Sequence, residues 1–181
     1  VAAVAADDLE AAKEAVRHIE EISVFDLELV EQPLPPDDIE GLRFVRERVD
    51  LPIMADESIW TPHDAMHCIR HQAVDVFNVY VSEAGGLGSA ARIFSIAEAA
   101  RLPCIIGSMP ELGIGTAAQA HLAFAMPNLG YASDVNGCVY HSGDVINEKL
   151  PIEDGYMLLP SGPGLGVSLD EAALDKYRID R

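Results

Sequence analysis

Apolar residues fall into two alternating kinds of segment along this chain. One kind is short and nearly continuous: Leu27–Glu31, Ile53–Asp56, Val74–Val81, Pro103–Ser108 and Tyr131–Val135. Runs of that length, closed by Pro or by polar turn residues, predict strands buried on both faces of a parallel sheet. The other kind is longer and amphipathic: Asp8–Ser23, Asp37–Val49, Pro62–His71, Leu87–Ala100 and Ile114–Ala125. These predict helices that lay an apolar stripe on the sheet. Strand followed by helix, repeated, builds right-handed βαβ units in a sheet that is either doubly wound or closed as a barrel.

A closed (β/α)₈ barrel needs eight strands and about 250 residues. With 181 residues and an opening helix, the α/β reading here is a partial (β/α)-barrel of about five strands with flanking helices. Its first three strands would then precede Val1. The outer edge of Leu27–Glu31 would need a partner, because a bare parallel edge invites aggregation. From Gly155 onward the repeat gives way to Pro160, Gly162, Pro163, Gly164 and Gly166, and then to a short helix, Asp170–Tyr177. The expected division is a partial barrel over residues 1–154 and a C-terminal arm over residues 155–181. A flavodoxin-like domain, which needs no upstream strands, is the alternative fold.

Composition narrows the partners. A hydrophobic content of 49% suits a globular core, and a net charge of -18 would repel phosphates, so neither nucleic acid nor an anionic membrane surface is expected. Val1–Ala6 is apolar but short and lacks a basic flank, so it is not a leader peptide by pattern. Cys68, Cys104 and Cys138 are odd in number and not spaced for zinc, which predicts reduced thiols in a cytoplasmic protein.

Chemistry gathers where the strands end. Glu31 and Asp56 close consecutive apolar runs, which in a parallel sheet brings both to the carboxyl edge where α/β folds keep their chemistry. Carboxylates collected there are costly unless a cation neutralises them, and Mg²⁺ is the simplest candidate. Sharing one ion would hold them within about 8 Å, two Mg–O bonds of about 2.1 Å plus slack. The alternative is that each caps the helix that follows. Tyr80 and Ser82 share one side of the third run, where a phenol could donate a hydrogen bond or a proton, or simply be a satisfied buried Tyr. Gly85-Gly86 opens the next helix, either for an anion or as a tight turn. Glu111 would project over the mouth, while Ser108 lacks the G-x-S-x-G frame of a nucleophile elbow. Asp134 and Asn136 add polar groups at the same edge, although Asn136-Gly137 is also a turn dipeptide. His63, His67 and His71 share a helix face without the Glu of HExxH, and read as a surface stripe rather than a metal site.

Taken in order, Glu31-Gln32-Pro33, Ala55-Asp56-Glu57-Ser58, Gly85-Gly86-Leu87, Gly107-Ser108-Met109-Pro110-Glu111 and Pro163-Gly164-Leu165-Gly166-Val167 resemble the enolase superfamily. Within it the likeness is to the mandelate racemase / muconate-lactonizing enzyme group. The resemblance implies a TIM-like (β/α)₇β barrel beside a separate capping domain, on which the arm 155–181 would pack, in a homo-oligomer. It also implies Mg²⁺ held by three carboxylates and a small carboxylate substrate. A base would remove the proton alpha to that carboxylate through a metal-stabilised enediolate, giving isomerase or lyase chemistry (cycloisomerase, dehydratase or epimerase).

By position, the resemblance makes Glu31 the second metal ligand and Asp56 the third. It makes Glu57 an acid beside the base, and Glu111 a contact to substrate or intermediate. Ser82, Ser108, Asp134 and Asn136 are the candidate substrate-binding residues. The first ligand and a Lys pair would lie on strands before Val1. The Lys expected on the third strand is Tyr80, which with a reference pKa near 10 is a poor base but a usable acid or donor. One-base elimination or cycloisomerisation therefore fits better than two-base racemisation. The alternative function is a non-catalytic, enolase-like binding or structural protein, which loss of the barrel Lys would permit.

Overall fold

The computed structural model describes residues 9–179. Four parallel strands lie side by side in chain order: β1 (Val30–Glu31), β2 (Ile53–Ala55), β3 (Val76–Val79) and β4 (Cys104–Ile106). Between and around them run α1 (Leu9–Ile22), α2 (Ile39–Arg46), α3 (Pro62–His71), α4 (Leu87–Ala99) and α5 (Gly113–Ala125). The pleat divides each strand between two faces. Ile53, Ala55, Phe77, Val79, Cys104 and Ile106 pack against Leu42, Val45, Ile93 and Phe94 of the helices. Met54, Val76 and Ile105 turn the other way, toward Leu29 and Tyr131, on what would be the inside of a barrel. This is the partial barrel expected from the sequence.

The strands are shorter than the apolar runs, so Asp56 stands just past β2 and Tyr80 just past β3. The run Tyr131–Val135 is not a fifth strand. The chain after α5 does approach β4: Cys104 bridges Leu129 in parallel, with Cys104 N donating to Asn128 O at 2.8 Å and Gly130 N to Cys104 O at 3.0 Å. At Ile106, however, the N–H goes to the Ser133 hydroxyl at 3.0 Å, a side chain standing in for the carbonyl that a ladder needs. The next bond, Asp134 N to Ile106 O at 2.8 Å, keeps the segment alongside without making it a strand.

Helix ends settle the capping question. Asp38 caps α2 by accepting from Gly41 N, and Thr61 with Asp64 forms a capping box on α3. Glu31 and Asp56 cap neither. At Gly85-Gly86 the backbone has φ of 79° and 114°, which favours glycine and identifies a tight turn into α4. His67 and His71 do share a face of α3, their ring centroids 4.4 Å apart. All three cysteines are free, and burial pushes the thiols of Cys68 and Cys104 up to about 12.

Beyond α5 the chain folds back. A hairpin of β5 (Ile152–Glu153) and β6 (Tyr156–Met157) turns at Asp154-Gly155. Ile146 bridges Leu169, and Leu165 and Val167 pack with Ile146 and Leu150 onto Ala117 of α5, before the last helix, α6 (Glu171–Tyr177).

At the amino ends of the strands, Asp75 joins three elements. Its carboxylate accepts from Ile53 N at 3.0 Å and from Arg46 Nε at 2.8 Å, and Arg46 also donates to Gln72 O at 3.1 Å. Asp75→Ala would strand the N–H of fully buried Ile53. It is expected to lower stability by about 1–3 kcal/mol, read from the chemical denaturation midpoint. Arg46→Ala should cost less, because the ion pair is about one-third exposed (34%/31%) and solvent screens it.

Candidate active site at the carboxyl edge

Adjacent parallel strands fix what meets at their ends. Val30 pairs with Ile53 and Glu31 with Met54, Ala55 with Phe77, and Val79 with Ile106, so Glu31, Asp56 and Tyr80 lie in neighbouring positions along one edge. Gln32 ties the first two loops together. It takes a left-handed φ of 38°, and its side-chain oxygen accepts from Asp56 N at 2.9 Å. Its amide nitrogen donates to Leu34 O and to the Ser58 hydroxyl, each at 2.9 Å, and Ser58 donates in turn to Pro36 O. Asp56 is thereby aimed from its backbone.

Glu31 lies beside Asp56, near enough to raise its carboxyl by hydrogen bonding as well as by charge. Asn78 Nδ2 donates to Glu31 Oε1 at 2.7 Å and lies 3.4 Å from the Tyr80 hydroxyl, which donates to Asp56 Oδ2 at 3.3 Å. These four side chains form a closed circuit. The Tyr80 ring lies over Gly107, where a Cβ would come within 2.4 Å of the ring carbons. Only glycine leaves room for the phenol.

Electrostatics make the cluster hungry for a cation. Burial, contact with Glu31 and the charges of Glu57 and Glu83 push the Asp56 carboxyl up to about 8. The charges that raise it, from Glu57, Glu31 and Glu83, are all acidic. Burial, with Asp56 and Glu31 beside it, raises the Tyr80 phenol above its ordinary value, so it stays protonated at neutral pH. Two hard oxygen ligands suit Mg²⁺. Among the described residues no three His, Cys, Asp or Glu side chains stand close enough to hold a metal.

A second cluster surrounds Glu111. Ser82 donates to it at 3.1 Å, Ser108 at 2.6 Å and Met109 N at 3.1 Å. Burial alone would raise this carboxyl, but the three donors outweigh it and hold it below the usual range. Gly137 packs on the Glu111 backbone, where a Cβ would meet its nitrogen at 2.5 Å. Neighbouring Asn136 is half-buried and its Oδ1 has no partner, while Asp134 is exposed and makes only backbone contacts. Glu57 is exposed at the rim. A cleft of about 280 Å³ beside Arg101 and Pro103 and another of about 660 Å³ among residues 138–152 are lined by none of these side chains.

Gln32, Asn78 and Gln119 were not among the residues singled out from the sequence. Gln119, fully buried on α5, donates to Gly107 O at 2.9 Å and so steadies the floor under Tyr80. Asn78 carried a signal: it interrupts the apolar run Val76-Phe77-Asn78-Val79. Its Oδ1 is buried without a partner, an arrangement that costs about 1–3 kcal/mol.

The profile of the enolase C-terminal domain-like family matches residues 4–173. Muconate cycloisomerase 1 of Rhodococcus opacus is 36% identical over 163 residues, covering 90% of this chain and 44% of that protein. A hydrophobic dipeptide epimerase of Enterococcus faecalis is 42% identical over 158 residues, covering 86% and 44%. Among solved structures, 2-chloromuconate cycloisomerase from Rhodococcus opacus 1CP superposes with a TM-score of 0.90 at 35% identity, covering 93% of this chain and 46% of that one. The chain thus spans less than half the length of these relatives.

The raised Asp56 carboxyl has a consequence for stability. A carboxyl whose folded pKa, about 8, exceeds its ordinary value of 3.8 binds more protons folded than unfolded between those limits. Metal-free stability should therefore fall as pH rises from about 4 to 8 and level off above. Asp56→Asn should remove that fall and raise metal-free stability at pH 8 by on the order of 1–3 kcal/mol, measured by denaturation with chelator present.

Proposed function

This chain belongs to the enolase C-terminal domain-like family, and we propose that the complete protein abstracts the proton beside a substrate carboxylate. The outcome would be isomerisation of a small acid, of the cycloisomerase or epimerase kind. The observation that carries this reading is the pair Glu31 and Asp56, neighbours at adjacent strand ends, with the acidic charges of Glu57 and Glu83 also acting on Asp56. Those two residues would hold Mg²⁺, with further ligands from outside this stretch. When bound, the ion would supply the positive charge that makes an acidic site tolerable to a carboxylate substrate and stabilises charge developing beside it.

The chain's own groups divide the remaining work. Tyr80, kept protonated by its surroundings, offers a proton or a hydrogen bond from its hydroxyl and does not serve as a base. The base would come from the portion of the protein outside this chain. Glu111, held ionised by three donors, is a fixed acceptor that orients a substrate donor group rather than a proton source. Ser82 and Ser108 are committed to Glu111 and shape the mouth through it.

A second reading is supported by Tyr80 itself. A phenol at the position where the resemblance leads one to expect Lys also suits a family member that binds small acids without turning them over. Proton exchange separates the two. The complete protein, incubated in D₂O with Mg²⁺ and panels of muconates and dipeptides, should incorporate deuterium beside a substrate carboxylate, and chelation should stop it. Binding without exchange across both panels would favour the second reading. With a turned-over substrate, Tyr80→Phe should lower kcat roughly 10²-fold if the hydroxyl is an acid. Loss of about 1 kcal/mol of stability with kcat unchanged would mark a purely structural hydroxyl.

A further inference from the structure

Asn78 occupies a position where an apolar residue would be better tolerated. Its β3 neighbours Val76, Phe77 and Val79 are fully buried, and Asn78 itself is 3% exposed. Among the described residues its carbonyl oxygen has no hydrogen-bond partner. What the amide gains lies on its nitrogen, 2.7 Å from Glu31 Oε1 and 3.4 Å from the Tyr80 hydroxyl. The amide cannot usefully turn over, because a flip would set Oδ1 against the Glu31 carboxylate. On its present side, Oδ1 lies against Gly107, where a Cβ would come within 2.5 Å of it.

Glu31 needs such a restraint. It is an exposed side chain that closes a two-residue strand. Its contacts are the Asn78 amide and the Asp56 carboxyl, and the second of these is repulsive once both are ionised. A buried donor on the rigid neighbouring ladder is the means by which an outer partner orients a ligand.

We propose that Asn78 is a positioning residue that presets the Glu31 carboxylate for a divalent cation and couples it, through the Tyr80 hydroxyl, to Asp56. This inference rests on the reading of Glu31 and Asp56 as cation ligands. It assigns the amide no contact with ion or substrate. The unpaired carbonyl is the accompanying cost, and a side chain kept only for packing would not carry it.

The test uses the complete protein with Mn²⁺ as the probe, its dissociation constant read by calorimetry or by the EPR signal of the free ion. Asn78→Leu, which fills similar space and removes the unpaired carbonyl, should keep or raise Tm while weakening Mn²⁺ binding roughly 10–100-fold. Asn78→Asp, nearly isosteric but only an acceptor when ionised, should weaken it at least as much, and serves alone should the Leu variant fail to fold. A purely structural role predicts the reverse for Asn78→Leu: Tm changed and Mn²⁺ affinity kept. Mn²⁺ affinity unchanged in a folded Asn78 variant, while Glu31→Gln loses it, would overturn the inference alone. Affinity unchanged in Glu31→Gln would overturn the cation reading and the inference with it.

Discussion

The parallel ladder is the constraint on which everything else in this chain depends. Parallel strands run their carboxyl ends to one side, and the register Glu31 with Met54, Ala55 with Phe77 and Val79 with Ile106 brings distant stretches of sequence to a common line. The helices bury one face of that ladder so completely that Ile53, Ala55, Phe77, Val79 and Ile106 have no exposed surface. A slip of one residue would turn Asn78 into the helix-facing core and Val79 into the site. Burial thus enforces the register, and the register assembles the carboxylates.

The edge so formed handles its acids in two opposite ways. Glu111 receives three donors and sits comfortably ionised. Asp56 is partly buried, feels the charges of Glu57, Glu31 and Glu83, and accepts from the Tyr80 hydroxyl, and its carboxyl is pushed up to about 8. The same functional group, a few loops away, is stabilised in one charge state and penalised in the other by which partners the ladder supplies. On the proposed reading the contrast corresponds to different work: a finished acceptor in one case and a site awaiting positive charge in the other.

Much of this was legible in the residues. Continuous apolar runs give the strands, amphipathic stretches the helices, and Glu31 and Asp56 stand where strand gives way to loop. The family resemblance held because ordered motifs such as Glu31-Gln32-Pro33 are a stricter signal than any of them alone. Tyr131–Val135 was misread because its apolar content says nothing about whether Ser133 will take the N–H that a strand needs. Gln119 left no mark, and the motif containing Gln32 gave no sign of its bridging role, since polar side chains that satisfy backbone groups across the fold have no periodicity to betray them. Asn78 did leave one, as a polar residue inside an apolar run, but its meaning depends on a carboxylate 47 positions away in sequence.

The Gln32 bridge carries a consequence for how such a site can change over evolutionary or engineering time. Loops at the mouths of barrels are commonly regarded as exchangeable parts, each varied independently of the rest. Here the loop after β1 supplies the acceptor for the Asp56 and Ser58 backbone N–H groups and, through Pro36, the acceptor for the Ser58 hydroxyl. The two loops are one inherited unit. A transplant that takes either one alone would deprive the other of its hydrogen-bond partners, so the smallest portable module at this end of the protein is the pair.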